Sequence, residues 1–133
     1  MIRPLIPSGF FMPQIELYFT TPITPKKNSF RAGRARDGRL FQYKSQKAKS
    51  SQEGLHYEAW IQAKKAKHAI IETPVKAEFY FRKTRADLIG VAETLQDALE
   101  DAVYKNDKQI IEQKMKWTEN LEHGYTAFVR ILW

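Results

Sequence analysis

The feature that most constrains the fold is a change of hydrophobic period between residues 75 and 102. Residues 75–81 alternate apolar and polar side chains, which predicts a β-strand with one buried face. In residues 88–102 the apolar side chains recur three or four positions apart, which predicts a helix with one apolar face. A strand that leads into an amphipathic helix indicates an α/β domain in which the helix packs on a sheet.

The remaining patterns add further strands and a second helix to this pair. We predict the α/β (α+β) class, with a single small domain at residues 14–133. Its mixed β-sheet carries two main helices packed on it. Residues 1–13 are predicted to form an N-terminal arm that is flexible or packs on the domain. The further elements are strands at residues 14–20, 40–43, 110–117 and 125–133, a helix at 51–69, and a loop or loose hairpin at 26–39.

Charge divides the chain into two parts of different character. Residues 1–50 carry ten basic and two acidic side chains, whereas residues 51–133 carry twelve basic and thirteen acidic ones. The net charge of the whole chain is +7. A basic part beside a part rich in acids indicates a polyanion-binding surface next to a cation-binding one, which favours nucleic acid as the partner. The alternative is that the positive charge serves solubility alone.

Composition excludes several kinds of site. The chain has no cysteine, so it has no disulfide, no thiolate zinc site and no cysteine nucleophile. No apolar run approaches the roughly 20 residues that a membrane-spanning helix needs. These observations are compatible with the cytoplasmic location that we predict.

Carboxylates lie beside basic residues around the predicted helix at 88–102. Asp87 stands just before that helix, where a role as its N-cap is the alternative to a functional one. Asp107 lies in the connector after it. A row of acids lies on the side of the helix away from the apolar stripe. These acids are either solvated or face a cation. Gly90 on the same side leaves room for a metal or a phosphate. Carboxylates that bind Mg²⁺ beside cations that bind phosphate suit a magnesium-dependent phosphodiesterase. The row is Glu93, Asp97 and Asp101.

The predicted loop or hairpin is rich in basic side chains with aromatic ones between them. Basic side chains neutralise phosphates, and aromatic rings stack on unpaired bases, so we predict that this segment contacts DNA. The alternative is a solvated loop whose aromatic side chains pack on the core. The predicted contacts are Lys26, Lys27, Arg31, Arg34 and Arg36, with Phe30, Phe41 and Tyr43 interleaved among and after them.

A set of motif residues lies between β-type residues at 79–81 and Lys116, namely Arg82, Lys83, Arg85, Asp87, Asp97-Ala98-Leu99, Asn106-Asp107 and Gln109-Ile110. On these residues, the segment 79–116 resembles the core of the RusA-type Holliday-junction resolvases, which are small dimeric endonucleases of phages and bacteria. A looser resemblance extends over roughly residues 14–133. It implies a RusA-like fold and a magnesium-dependent homodimer that cuts four-way DNA junctions in recombination and repair.

The resemblance implies that Asp87 and Asp107 bind the metal, with Mn²⁺ as an alternative to Mg²⁺. A further acid of the family pattern falls on Ile89, and its lysine falls on Glu93. We therefore predict that Glu93 replaces the missing ligand and completes a site with Asp87 and Asp107. The predicted catalytic cations, which offset charge on the reacting phosphate, are Lys83 and Arg85.

Two other functions stay open on the sequence. A catalytically degenerate protein that binds DNA junctions without cutting them is favoured by Ile89 and Gly90. A protein-interaction domain is favoured by aromatic residues near the termini, such as Phe10 and Trp133.

If DNA is bound, we predict that four cations beyond the basic segment also contact it, namely Arg82, Lys83, Arg85 and Lys116.

Overall fold

The strand and the helix predicted from the change of period are both present in the computed structural model. It describes residues 12–25 and 46–133 in full, and residues 30–34 and 40–44 by their backbone. The strands are β1 Gln14–Phe19, β2 Phe30–Arg34, β3 Leu40–Lys44, β4 Val75–Arg82, β5 Ile110–Thr118 and β6 Ala127–Leu132. The helices are α1 Gln46–Lys65, α2 Leu88–Leu99 and a 3₁₀ turn at Asp107–Gln109.

The main sheet has four strands in the order β1-β6-β4-β5. Strands β1 and β4 both pair with β6 in antiparallel fashion, whereas β4 and β5 are parallel. Because parallel strands need a crossover, α2 runs back along the sheet between them. The start of α2 therefore lies near the end of β4, and its end lies near the start of β5. The mixed sheet with two helices confirms the predicted α+β class.

The core lies between the helices and one face of this sheet. Alternate residues of β4 are buried from Val75 to Phe81, as the apolar alternation predicts. From α1 the core receives mainly small side chains, including Ala59 and Ala63. Its largest buried side chains are Tyr104, Phe19, Phe79 and Phe81.

The opposite face of the sheet carries side chains that stay half-buried or exposed. Tyr18 of β1, Phe128 of β6 and Tyr80 of β4 lie side by side on it, because the strand register pairs them. Lys116 of β5 lies next to Tyr80 in the same row. In the ranges that the structure describes, no helix is long and apolar enough to cross a membrane.

Several element boundaries differ from the prediction. Helix α1 starts five residues earlier than residue 51 and ends at Lys65, because Lys67 adopts a left-handed backbone with φ 53°. Helix α2 ends at Leu99 because its C-cap residue Glu100 already has an extended backbone, with φ −62° and ψ 138°. The predicted loop or hairpin at 26–39 contains β2, which pairs in antiparallel fashion with β3, the strand predicted at 40–43. Residues 1–11, which make up most of the predicted arm, lie outside the described residues.

Candidate metal centre

Three carboxylates converge at the C-terminal end of α2. Asp97 lies in the last turn of the helix, Glu100 caps it, and Asp107 begins the 3₁₀ turn. One oxygen atom from each of the three lies within 4.8 Å of the others, and all three side chains are half-buried. The site therefore combines two helix-end acids with an acid from the following connector.

The connector between α2 and the 3₁₀ turn folds back onto the helix, which brings Asp107 to it. The left-handed residue Asp101 reverses the chain, and its N–H donates to the Tyr104 carbonyl at 2.8 Å. Tyr104 is fully buried, and its hydroxyl donates to the Gln96 carbonyl at 2.7 Å. The Asp107 N–H donates to Glu100 Oε1 at 3.1 Å, which orients the Glu100 carboxylate.

Gln109 fixes the 3₁₀ turn to the rest of the domain. Its Oε1 accepts from the N–H groups of Lys105 and Asn106 at 2.9 and 2.8 Å. Its Nε2 donates to the carbonyls of Ile71 and Thr73 at 2.8 and 2.9 Å. Two of these four bonds lie within the connector and two hold it against the segment before β4, so the position of Asp107 depends on tertiary contacts.

The electrostatics of the cluster are unfavourable without a cation. Carboxylates about 4 Å apart repel by about 1 kcal/mol per pair where water screens them. The C-terminal end of a helix also carries partial negative charge, which disfavours Asp97 and Glu100 there. Among the described residues, no lysine or arginine forms an ion pair with Glu100 or Asp107. A bound divalent cation would relieve this repulsion.

The spacing of the oxygen atoms suits a hard divalent cation. Magnesium–oxygen distances of about 2.0–2.1 Å place neighbouring ligands about 2.9 Å apart, and calcium–oxygen distances of about 2.3–2.6 Å place them about 3.3–3.7 Å apart. The three oxygen atoms lie within 4.8 Å of one another, so the side chains would close inwards around either ion.

The same charges act on Tyr104. Burial, together with the negative charges of Asp107 and Glu100, raises the pKa of Tyr104 well above its ordinary value of 10.0. Above about pH 10 the unfolded chain loses this proton while the folded chain keeps it, so stability falls by up to about 1.4 kcal/mol per pH unit. Below about pH 10 both states keep the Tyr104 proton, so its ionisation does not reduce the stability.

Replacing Tyr104 with phenylalanine is expected to remove this part of the pH dependence. Urea unfolding of the wild type and of Tyr104→Phe between pH 8 and about 11 measures it. The free-energy advantage of the wild type over the variant should shrink steadily above about pH 10. Parallel pH profiles for the two proteins would contradict this prediction.

Asp87 and Glu93 do not join Asp107 in the structure. Asp87 is the N-cap of α2, and its Oδ2 accepts from the Gly90 N–H at 3.1 Å. It lies about 15 Å along the helix axis from Asp97. Glu93 is exposed and is absent from the described acidic cluster. We predicted that Asp87, Glu93 and Asp107 converge. In the structure Asp87 lies at the start of α2 and Asp107 lies near its end, so the helix keeps them apart.

The space beside Gly90 is filled in a way that differs from the prediction. The residue is buried, and a Cβ atom added to it would lie 3.4 Å from Pro25 Cβ. The glycine therefore allows close packing against the segment after β1, so the predicted space for a metal or a phosphate is absent. Ile89 beside it is 53% exposed.

The predicted DNA-contacting cations lie in different places. Arg82 donates to the carbonyls of Tyr125, Leu121 and Glu122, so it stabilises the β5–β6 connection. Lys83 lies over the Trp117 ring at 5.1 Å, and exposed Arg85 lies near the start of α2. Lys116 is exposed on the open sheet face. Lys26, Lys27 and Arg36 fall outside the described residues, and Arg31 and Arg34 lie in β2, where only the backbone is described.

Sequence reasoning missed Glu100 and treated Asp97 only as part of an acidic row. A usable signal was present, since two acids three residues apart at the end of a helix oppose the helix dipole. Asn106, which matches an aspartate of the resolvase pattern, accepts from the Lys108 N–H and caps the 3₁₀ turn.

Comparison with known proteins leaves the family open. No protein-family model matches the chain, and no curated protein is similar to it in sequence. The resemblance to RusA-type resolvases therefore stays a prediction that rests on the motif residues.

Proposed function

We propose that this protein is a magnesium-dependent endonuclease that cuts branched DNA, with four-way junctions as its substrate. The observation that carries the proposal is the convergence of Asp97, Glu100 and Asp107. The resolvase-like motif in residues 79–116 supplies the substrate class and the homodimeric state. In this proposal the enzyme acts in the cytoplasm in recombination and repair, and Mn²⁺ can replace Mg²⁺.

The three carboxylates would hold the metal beside the scissile phosphate. When bound, Mg²⁺ supplies Lewis-acid polarisation of that phosphate and a bound water of lowered pKa. Lys105 and Lys108 are exposed and flank Asp107 in the connector, so they are available to the negatively charged DNA backbone. Lys83 and Arg85, at the other end of α2, would contact a more distant part of the backbone.

A second candidate is a protein that binds junctions without cutting them. The N-terminal end of α2 favours it, since Asp87 is engaged as a helix cap and the neighbouring Ile89 offers no ligand. In this case the basic surface would bind DNA while the acids at the other end of α2 served only stability. The two candidates differ in metal-dependent cleavage and agree in binding.

A cleavage assay on synthetic DNA tests the proposal. We expect a labelled four-way junction to be cut in Mg²⁺ or Mn²⁺, to stay intact in EDTA, and to be cut faster than a linear duplex of the same sequence. Junction binding should weaken steeply as salt rises, because phosphate contacts release counterions. Tight binding without cleavage would support the second candidate, and absence of both would refute the two together.

A further inference from the structure

The open face of the sheet contains an aromatic cleft that the proposed nuclease site does not use. Its floor consists of Tyr18, Tyr80, Tyr125 and Phe128, and Arg130 lies at its side. The β5–β6 connection, including Asn120, forms the rim. The cleft encloses about 480 Å³, which is ample for a nucleobase.

The rings form one continuous platform. The Tyr18 ring centroid lies 4.9 Å from that of Phe128 and 5.3 Å from that of Tyr125. Phe128 lies 5.9 Å from Tyr80, with an angle of 30° between the ring planes. Three of the four rings occupy neighbouring positions on β1, β6 and β4, so the strand register maintains their order. Tyr18 is 45% exposed and offers a ring surface to a ligand.

Cationic groups accompany these rings. The Arg130 guanidinium lies 5.5 Å from the Phe128 ring, and Lys114 Nζ lies 5.7 Å from the Tyr80 ring. Glu16 and Glu78 hold Arg130 in place through contacts of 3.0 and 3.3 Å. Because these two carboxylates offset the charge of Arg130, the cations that remain for phosphates are Lys114 and Lys116, which are exposed on β5 beside Tyr80.

We propose that this cleft binds an unpaired nucleobase of a single-stranded nucleic acid. Base faces stack on aromatic side chains and the flanking phosphates pair with cations, which the four rings together with Lys114 and Lys116 provide here. The half-polar lining and the two cations favour this occupant over an apolar peptide, which needs a dry groove. The chain's net charge of +7 adds a favourable long-range field for a polyanion.

The cleft is separate from the candidate metal centre. It lies at the Thr118 end of β5 on the open face, whereas Asp107 precedes the other end of β5 near α2. A strand of nine residues spans roughly 26 Å between its first and last Cα atoms. The inference therefore goes beyond the proposed nuclease function and holds whether or not the protein cuts DNA.

Fluorescence anisotropy with labelled oligonucleotides tests the proposal. The probes are an oligothymidylate of about 12 nucleotides, the matching oligouridylate, and a duplex of the same length. We expect Tyr18→Ala to weaken single-strand binding by roughly 5- to 100-fold while duplex binding changes by less than about 2-fold. Tyr18→Phe keeps the ring and should bind within about 2-fold of the wild type. Binding of either single strand satisfies the proposal.

Two further controls make the outcome decisive. Tyr57→Ala removes a tyrosine that is 59% exposed on α1, outside the cleft, and should leave binding unchanged. Wild-type single-strand binding should persist in EDTA, where the proposed nuclease site holds no metal, which separates this site from the nuclease proposal. Equal losses on single-stranded and duplex probes, no loss in a folded Tyr18→Ala variant, or a change of oligomeric state in that variant by light scattering would each overturn the proposal.

Discussion

Replacing Asp107 with asparagine is expected to reduce magnesium-dependent junction cleavage by at least about 100-fold. The substitution keeps the shape of the side chain and removes one of three charges that lie within 4.8 Å of one another. Magnesium should bind more weakly, which titration calorimetry and the magnesium-induced rise in Tm both measure. In EDTA the variant should be more stable than the wild type by about 1–2 kcal/mol, because the repulsion of Asp107 by two neighbouring carboxylates is gone.

Matched variants nearby identify which end of α2 is the active one. Asp101→Asn is the control, since Asp101 is exposed, its φ of 63° suits asparagine, and its ion pair with Lys105 is a surface contact at 3.8 Å. Asp87→Asn keeps a good N-cap, so it removes only the charge. Loss of cleavage in Asp87→Asn or Glu93→Gln with full activity in Asp107→Asn would place the centre at the N-terminal end instead.

Replacing Tyr104 with alanine is expected to destabilise the protein by about 3–5 kcal/mol. Tyr104 is fully buried, and its hydroxyl donates to the Gln96 carbonyl, so the variant loses packing and leaves that carbonyl without its partner. The connector that carries Asp107 also loses its anchor on α2. Urea unfolding measures the loss of stability, and calorimetry should show weaker magnesium binding at temperatures where the variant remains folded.

Two comparisons separate packing from other causes. Tyr57→Ala removes the same side chain from an exposed site on α1 and should change stability by less than about 0.5 kcal/mol. Tyr104→Phe keeps the ring and should cost roughly 1–2 kcal/mol, since it removes only a buried hydrogen bond. A cost below about 1 kcal/mol for Tyr104→Ala would show that the connector does not depend on this anchor.

The success of the fold prediction has a local physical cause. Burial on one face imposes a two-residue period on a strand and a 3.6-residue period on a helix, so β4 and α2 are readable from neighbouring residues. The N-cap of α2 is equally local, because Asp87 and Gly90 are three residues apart. Helix α1 was placed too late because its first buried residue, Ala48, lies in a lysine-rich segment that resembles a loop.

The arrangement of the acids followed from contacts that no local pattern contains. Glu93, Asp97 and Asp101 share a spacing of four residues, yet the left-handed backbone at Asp101 ends that row and turns the chain back. The family resemblance suggested Asp87 and Glu93 as partners of Asp107, whereas the structure brings Asp97 and Glu100 to it. The aromatic cleft was missed for a similar reason, since Tyr18 and Phe128 meet across two strands that are far apart in the chain.

By itself, the sequence determined the order of strands and helices, the buried faces of β4 and α2, and the cap at Asp87. These depend on side chains within about one helical turn or two strand positions of each other. The tertiary structure decided which carboxylates meet. Asp107 reaches Asp97 and Glu100 because Tyr104 bonds eight residues back to Gln96, and because Gln109 bonds 38 residues back to Ile71. Only a packed chain brings such partners together.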